Sequence, residues 1–104
     1  MPQFIFAYHG GKTPETPEEG EQVMAAWRNW MGGMGKALIQ PGNPVGASIT
    51  VSAAGVVDDG GANPVSGYSV VSADSIEAAT EMAKGCPMVV SANGSVEVAE
   101  IIEM

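Results

Sequence analysis

The last third of the chain most constrains the fold, because two strand-like segments there enclose a clearly delimited helix. Residues 67–72 (GYSVVS) are typical of a strand, and the Asp-Ser-Ile-Glu sequence at 74–77 forms a capping box at the start of a helix. Gly-Cys-Pro at 85–87 ends that helix, since proline cannot continue it. Residues 95–104 form the final strand, with a bulge expected near Ala99 where glutamates break strict alternation. This part of the sequence predicts the order strand, helix, strand.

The first strand is predicted over residues 3–9, where aromatic residues alternate with smaller apolar ones. Both of its faces are therefore apolar, which is typical of a central strand in a sheet covered on both sides. The first helix begins after Thr16, its N-cap, with Pro17 at the first helical position and Glu19 completing a capping box. The first half of the chain thus also starts with a strand followed by a helix.

Apolar residues recur three and four positions apart along this first helix, as in a buried helical stripe. They are Val23, Met24, Trp27, Trp30, Met31 and Met34. Residues 47–52 then alternate between apolar and hydroxyl side chains, which predicts a half-exposed strand. Residues 53–65 are rich in Gly, Asp, Asn and Pro and form a long hairpin connection that can hold a short strand at 56–57.

The element order is therefore βαββαβ, which predicts an α+β protein with a ferredoxin-like, four-stranded antiparallel sheet in one domain over residues 1–104. Two helices can cover only one face of such a sheet. The apolar residues of the other face need another cover, and a second copy of the chain supplies one most simply. The sequence therefore predicts a face-to-face homodimer.

The charge balance excludes several partners. The chain carries 12 Asp and Glu against 4 Lys and Arg, with a formal net charge of −8. Nucleic-acid binding needs clustered Lys and Arg, and anionic membranes repel an acidic surface. One cysteine cannot form an internal disulfide, and the N-terminus has neither the charge nor the apolar run of a signal peptide, so we expect a cytoplasmic protein. No sequence motif calls for a cofactor.

Four short motifs lie in the last third of the chain, namely Gly-Tyr-Ser-Val-Val at 67–71, Asp-Ser at 74–75, Ala-Lys-Gly-Cys-Pro at 83–87 and Gly-Ser-Val-Glu-Val at 94–98. With these motifs, nearly the whole chain resembles the YCII-related family. The resemblance implies a ferredoxin-like fold that dimerises into an α/β barrel. It also implies, for some members, acid and base chemistry by a His on the first helix and an Asp near the end of that helix. This chain has Met24 near the first place and Gly32-Gly33 near the second.

His9 is the candidate general acid or base that remains. It stands at the C-terminal end of the first strand, precedes two glycines, and could be oriented by Asp58 or Asp59 from the long connection. The alternative is a strand-end histidine that is hydrogen-bonded to a loop. The two aspartates could also suggest a cation site, but such residues are usual in a turn and the segment offers too few oxygen ligands for calcium. We therefore predict no metal site.

A ligand pocket is predicted beside the first helix, where Trp27 and Trp30 share a broad face with Met31 and could contact a flat molecule together with Tyr68. The alternative is that the tryptophans and methionines are simply core residues. Cys86, between a glycine and a proline, is expected to be a small buried residue at the helix end.

Two functions follow from these residues. One is a small dimeric protein that binds a small organic molecule without turnover. The other is a lyase-like or isomerase-like enzyme that moves protons with His9.

Overall fold

Three α-helices and six strands form the part of the chain that the computed structural model describes, residues 1–11, 14–90 and 93–103. The strands are β1 (Gln3–His9), β2 (Leu38–Gln40), β3 (Thr50–Ser52), β4 (Gly55–Val57), β5 (Val65–Ser72) and β6 (Ser95–Glu100). The helices are α1 (Pro17–Met34), α2 (Ile76–Lys84) and α3 (Pro87–Val90), and a 3-10 turn at Gly35–Ala37 follows α1.

The main sheet has four antiparallel strands in the order β2, β5, β1, β6. This arrangement confirms the predicted α+β class and the four-stranded antiparallel sheet. β1 is a central strand, as its two apolar faces predict. Phe4, Phe6 and Tyr8 of this strand are buried, whereas Ile5 on the opposite face is 37% exposed.

The edge strand next to β5 is β2 and not the segment 47–52, so the sequence-based placement of this strand was wrong. Leu38 pairs with Val71 of β5, and a bulge follows before Gln40. The pairing of apolar Leu38 with a buried residue favours this short extended piece at the sheet edge. Residues 50–52 instead pair with 55–57 in a separate two-stranded sheet, which we call the β3–β4 arm.

The last strand runs in continuous register beside β1, from His9 opposite Ser95 to Phe4 opposite Glu100. The predicted bulge near Ala99 was therefore wrong. The strand ends at Glu100, so the apolar residues that follow do not need to fit its alternation.

The starts of α1 and α2 are each capped by a side chain. The predicted Thr16 cap of α1 is confirmed, since its hydroxyl accepts a hydrogen bond from the Glu19 amide at 3.1 Å. At α2 the N-cap is Ser75, one residue later than the predicted box begins, and it accepts from the Ala78 amide at 3.1 Å. The predicted stop is confirmed, since α2 ends at Lys84 with Gly85 as its C-cap.

The two long helices pack against the same sheet face at different depths. Ala79 and Ala83 of α2 are buried, because small side chains let this helix lie close to the sheet. α1 has no fully buried residue, and its tryptophans span the distance to the sheet instead. A gap therefore remains between α1 and the sheet, and this gap holds the candidate site. No helix of the described residues is long and apolar enough to cross a membrane.

Gly42 is a position at which the fold requires glycine. Its φ is +71°, and a Cβ there would collide with the Tyr68 carbonyl oxygen. We expect Gly42→Ala to lower the free energy of unfolding by about 2 kcal/mol or more, because it adds backbone strain to this clash.

Gly33→Ala is the matched control, since Gly33 lies in α1 with open space around its Cβ position. This change should raise the stability by up to about 1 kcal/mol through helix propensity. Urea denaturation of both variants measures the difference, and equal stabilities would contradict the role given to Gly42.

Candidate functional site

A cleft of about 410 Å³ lies between α1 and the β5 side of the sheet. Most of its lining is apolar or aromatic. The lining residues are Tyr8, Val23, Met24, Trp27, Arg28, Met31, Pro41, Gly42, Asn43, Pro44, Ser66, Gly67, Tyr68 and Met88. Its size and apolar character are typical of a site for a small organic molecule.

Aromatic rings hold α1 above the sheet. The ring of Tyr8 contacts that of Trp27 edge to face, with centroids 5.0 Å apart, and Trp27 contacts Trp30 in the same way at 5.5 Å. Trp30 also stacks on Phe6 at 6.1 Å and donates a hydrogen bond from Nε1 to the Met82 carbonyl at 3.0 Å. The two tryptophans predicted for the pocket therefore have different surroundings. Trp27 lines the cleft, whereas the structure places Trp30 in the packing between the two long helices.

Tyr8 contributes to the base of the cleft and is buried, with 4% of its surface exposed. Its hydroxyl donates to Ser69 Oγ at 2.7 Å, and Ser69 in turn donates to the Pro41 carbonyl at 2.7 Å. Burial raises the pKa of Tyr8 to about 12, although the Ser69 hydrogen bond opposes this shift. The phenol is therefore neutral at ordinary pH, and its proton is committed to Ser69.

The wall opposite α1 consists of residues 41–44, which continue the sheet edge beyond β2. The Asn43 carbonyl accepts from the Tyr68 amide at 3.2 Å, and Pro44 forms an isolated bridge with Gly67. The Pro-Gly-Asn-Pro sequence of this segment is typical of a turn. Its role as a wall depends on the pairing with β5, which the local sequence does not show.

The other two predicted pocket residues, Met31 and Tyr68, both line the cleft. The register pairs Tyr68 with Ala7, however, whereas its neighbour Gly67 pairs with Tyr8. By strand alternation the Tyr68 side chain belongs to the opposite sheet face. Tyr68 thus borders the cleft at its sheet edge.

His9 lies outside the cleft lining, and both of its ring nitrogens have partners. Nδ1 is 2.9 Å from the Asn63 carbonyl oxygen, and Nε2 is 3.0 Å from Glu97 Oε1. Both partner atoms are hydrogen-bond acceptors, so each ring nitrogen that carries a proton donates to one of them. This arrangement fits the strand-end alternative, in which histidine fastens a loop, and it leaves neither nitrogen free for a substrate.

The carboxylate beside His9 is Glu97, which the sequence pattern does not indicate because the two residues lie 88 positions apart. Asp58 is exposed, and the structure does not place it among the partners of the His9 ring. Asp59 has a turn role, in which its carboxylate accepts from the Gly61 amide at 2.9 Å and its carbonyl accepts from Thr50. The described residues contain no cluster of three or more His, Cys, Asp or Glu suited to a metal ion.

Cys86 is completely buried, as predicted for a small residue at the helix end. Burial is the main cause that raises the pKa of its thiol. The neutral thiol is a weak nucleophile, so the burial that suits Cys86 to packing makes it a poor catalytic group.

Comparisons with protein-family models, with curated proteins and with solved structures find no match to this chain.

The raised pKa of Tyr8 predicts how stability changes in alkali. The unfolded phenol ionises near its ordinary pKa of 10.0, while the folded one stays protonated to about 12. The resulting stabilisation is complete below pH 10 and is lost as the pH rises towards 12.

Tyr8→Phe should therefore show a shallower fall in the free energy of unfolding between pH 10 and 12 than the unaltered protein. Cys86 acts in the same direction in both proteins, so the difference reports mainly on Tyr8. Denaturant unfolding at several alkaline pH values measures it, and equal slopes would contradict the assignment.

Proposed function

We propose that this protein binds a small, largely apolar organic molecule in the cleft beneath α1. The observation that carries the proposal is the cleft itself, about 410 Å³ in volume and lined mainly by apolar and aromatic residues. Such a volume suits a ligand of one or two rings. The gap exists because the tryptophans of α1 lie between this helix and the sheet.

The contacts favour binding over turnover. The Tyr8 hydroxyl donates to Ser69, the Ser66 hydroxyl donates to the Tyr8 carbonyl at 3.1 Å, and the Cys86 thiol is buried. Within the described lining, no nucleophile is hydrogen-bonded to a general base. The alternative of an enzyme that uses His9 gains no support from a ring whose nitrogens are both engaged outside the cleft.

Met31→Gln tests the cleft as the binding site. The two side chains have similar length, but the amide places polar atoms on an apolar wall and should weaken binding of an apolar ligand by about tenfold. Tryptophan fluorescence, with Trp27 in the lining, and thermal shift both report binding, since a ligand of the native state raises its melting temperature.

Asn29→Gln, at an exposed position of the same helix outside the lining, is the matched control and should bind like the unaltered protein. A set of uncharged and charged one-ring and two-ring compounds serves as the probe. If no compound shifts the melting temperature or the fluorescence, the proposal fails. Equal affinity in the two variants would place the ligand elsewhere.

We further propose that the chain is a YCII-related, ferredoxin-like domain that forms a homodimeric α/β barrel. The strand order β6, β1, β5, β2, with α1 and α2 on one face, supports this proposal because it is the order expected for two split βαβ units. The single free cysteine, which forms no disulfide, supports a cytoplasmic location.

The surface area of the chain supports the dimer. A compact monomer of 10.6 kDa exposes about 5,500 Å², whereas this chain exposes 7021 Å². The excess is more than the roughly 800 Å² that each partner buries in a standard interface. Part of it lies on the open sheet face, where Ile5 is 37% exposed, and part on the β3–β4 arm, where Val51 and Val56 are 74% and 69% exposed.

Ala99→Lys tests the open face as the dimer interface. Ala99 is exposed on β6 and pairs with Ile5 on that face, so a lysine there would bury a charge in the dimer. We expect dimerisation to weaken by at least about tenfold. The matched control is Ala62→Lys in the exposed connection before β5.

Light scattering and sedimentation over micromolar concentrations measure the equilibrium. A monomer in the unaltered protein contradicts the dimer. A dimer that Ala99→Lys leaves intact contradicts this interface, and Val51→Thr with Val56→Thr then tests the arm.

A further inference from the structure

We infer that the ligand of the cleft is a flat aromatic monocarboxylate whose negative charge is held by Arg28. This inference rests on the proposed function, which requires only that the cleft bind a small, largely apolar molecule. It adds the charge of the ligand and the residue that recognises it.

The charge distribution of the cleft favours an anionic ligand. The chain has three times as many acidic as basic residues, yet the cleft lining contains one arginine and no Asp or Glu. A random sample of this surface would be acidic. The lining is therefore the reverse of its surroundings, and it suits an anion better than a cation.

The Arg28 side chain is available to bind such an anion. It is exposed on α1 and forms no ion pair with any described residue, although Glu21 lies two helical turns before it and both border a neighbouring depression. Lys84, by contrast, pairs with Glu81 at 2.7 Å on α2. The Arg28 guanidinium keeps its planar set of donors available, and this geometry matches a carboxylate.

The remaining polar groups of the lining also favour a ligand that carries acceptor atoms. Tyr8 and Ser66 donate their hydroxyl protons to other protein groups, so these donors are already committed. Trp27 and Asn43 have no side-chain hydrogen bond within the described residues and keep their N–H groups. Beside the Asn43 Oδ1 acceptor and the Tyr68 hydroxyl, these side chains thus add an indole N–H and an amide N–H to the Arg28 donors, and the N–H donors require acceptor atoms in the ligand.

The same observations limit the class of ligand. One arginine in a chain of net charge −8 cannot neutralise a polyphosphate or another multiply charged ion. A flat apolar body suits the Trp27 and Tyr8 rings and the volume of about 410 Å³. A monocarboxylate with one or two rings meets both conditions.

The test compares 2-naphthoate with 2-naphthamide, which has the same rings and a neutral polar group. Isothermal calorimetry of the unaltered protein should give at least about fivefold tighter binding of 2-naphthoate, as expected for a partly exposed charge-assisted contact. Arg28→Gln should abolish this preference, so that the variant binds the two probes with about equal affinity. Arg28→Lys should keep part of it, because the charge remains and the planar fork is lost.

Lys36→Gln is the matched control, since it removes one positive charge from an exposed position outside the cleft lining. This variant should retain the preference, and circular dichroism confirms that each variant is folded. Preference for the carboxylate that survives Arg28→Gln overturns the role of Arg28. Equal binding of both probes overturns the charged ligand and leaves the proposed function standing. If neither these two probes nor the uncharged compounds bind, the charged ligand and the proposed function are both overturned.

Discussion

The contacts of Tyr8 determine where the main parts of this molecule lie. Its ring supports Trp27 of α1, its hydroxyl donates to Ser69 of β5, and Ser69 donates onward to the Pro41 carbonyl. One side chain on the central strand therefore connects the overlying helix, the neighbouring strand and the sheet edge. The base, the roof and the side wall of the cleft depend on this one set of contacts.

The unequal packing of the two long helices follows from side-chain size. Alanines let α2 lie close to the sheet, whereas Trp27 and Trp30 keep α1 further away. Trp30 fixes this position by its hydrogen bond to the Met82 carbonyl, so the space beneath α1 has a rigid aromatic support. Trp27 lies in the lining of the cleft. The same helical stripe thus provides both packing residues and cleft lining.

Local signals in the sequence predicted the fold better than the site. The Thr16 cap, the central strand and the stop after α2 depend on near neighbours and were predicted correctly. The sheet edge at β2 was missed because it depends on pairing with Val71, 33 positions away from Leu38. The His9 contact with Glu97 joins opposite ends of the chain. Short-range periodicity carries no information about such contacts.

The place of β1 in the sheet also affects how the chain acquires its structure. β1 precedes the other strands of its sheet along the chain, yet both of its neighbours, β5 and β6, follow α1 and the β3–β4 arm. Its backbone hydrogen-bonding groups therefore remain unpaired until those two strands have been made. Sheets that depend on pairing between such distant segments form slowly, and their unpaired strand edges are prone to aggregation until they form. A nascent chain halted before β5 would present an unprotected apolar strand to whatever surrounds it.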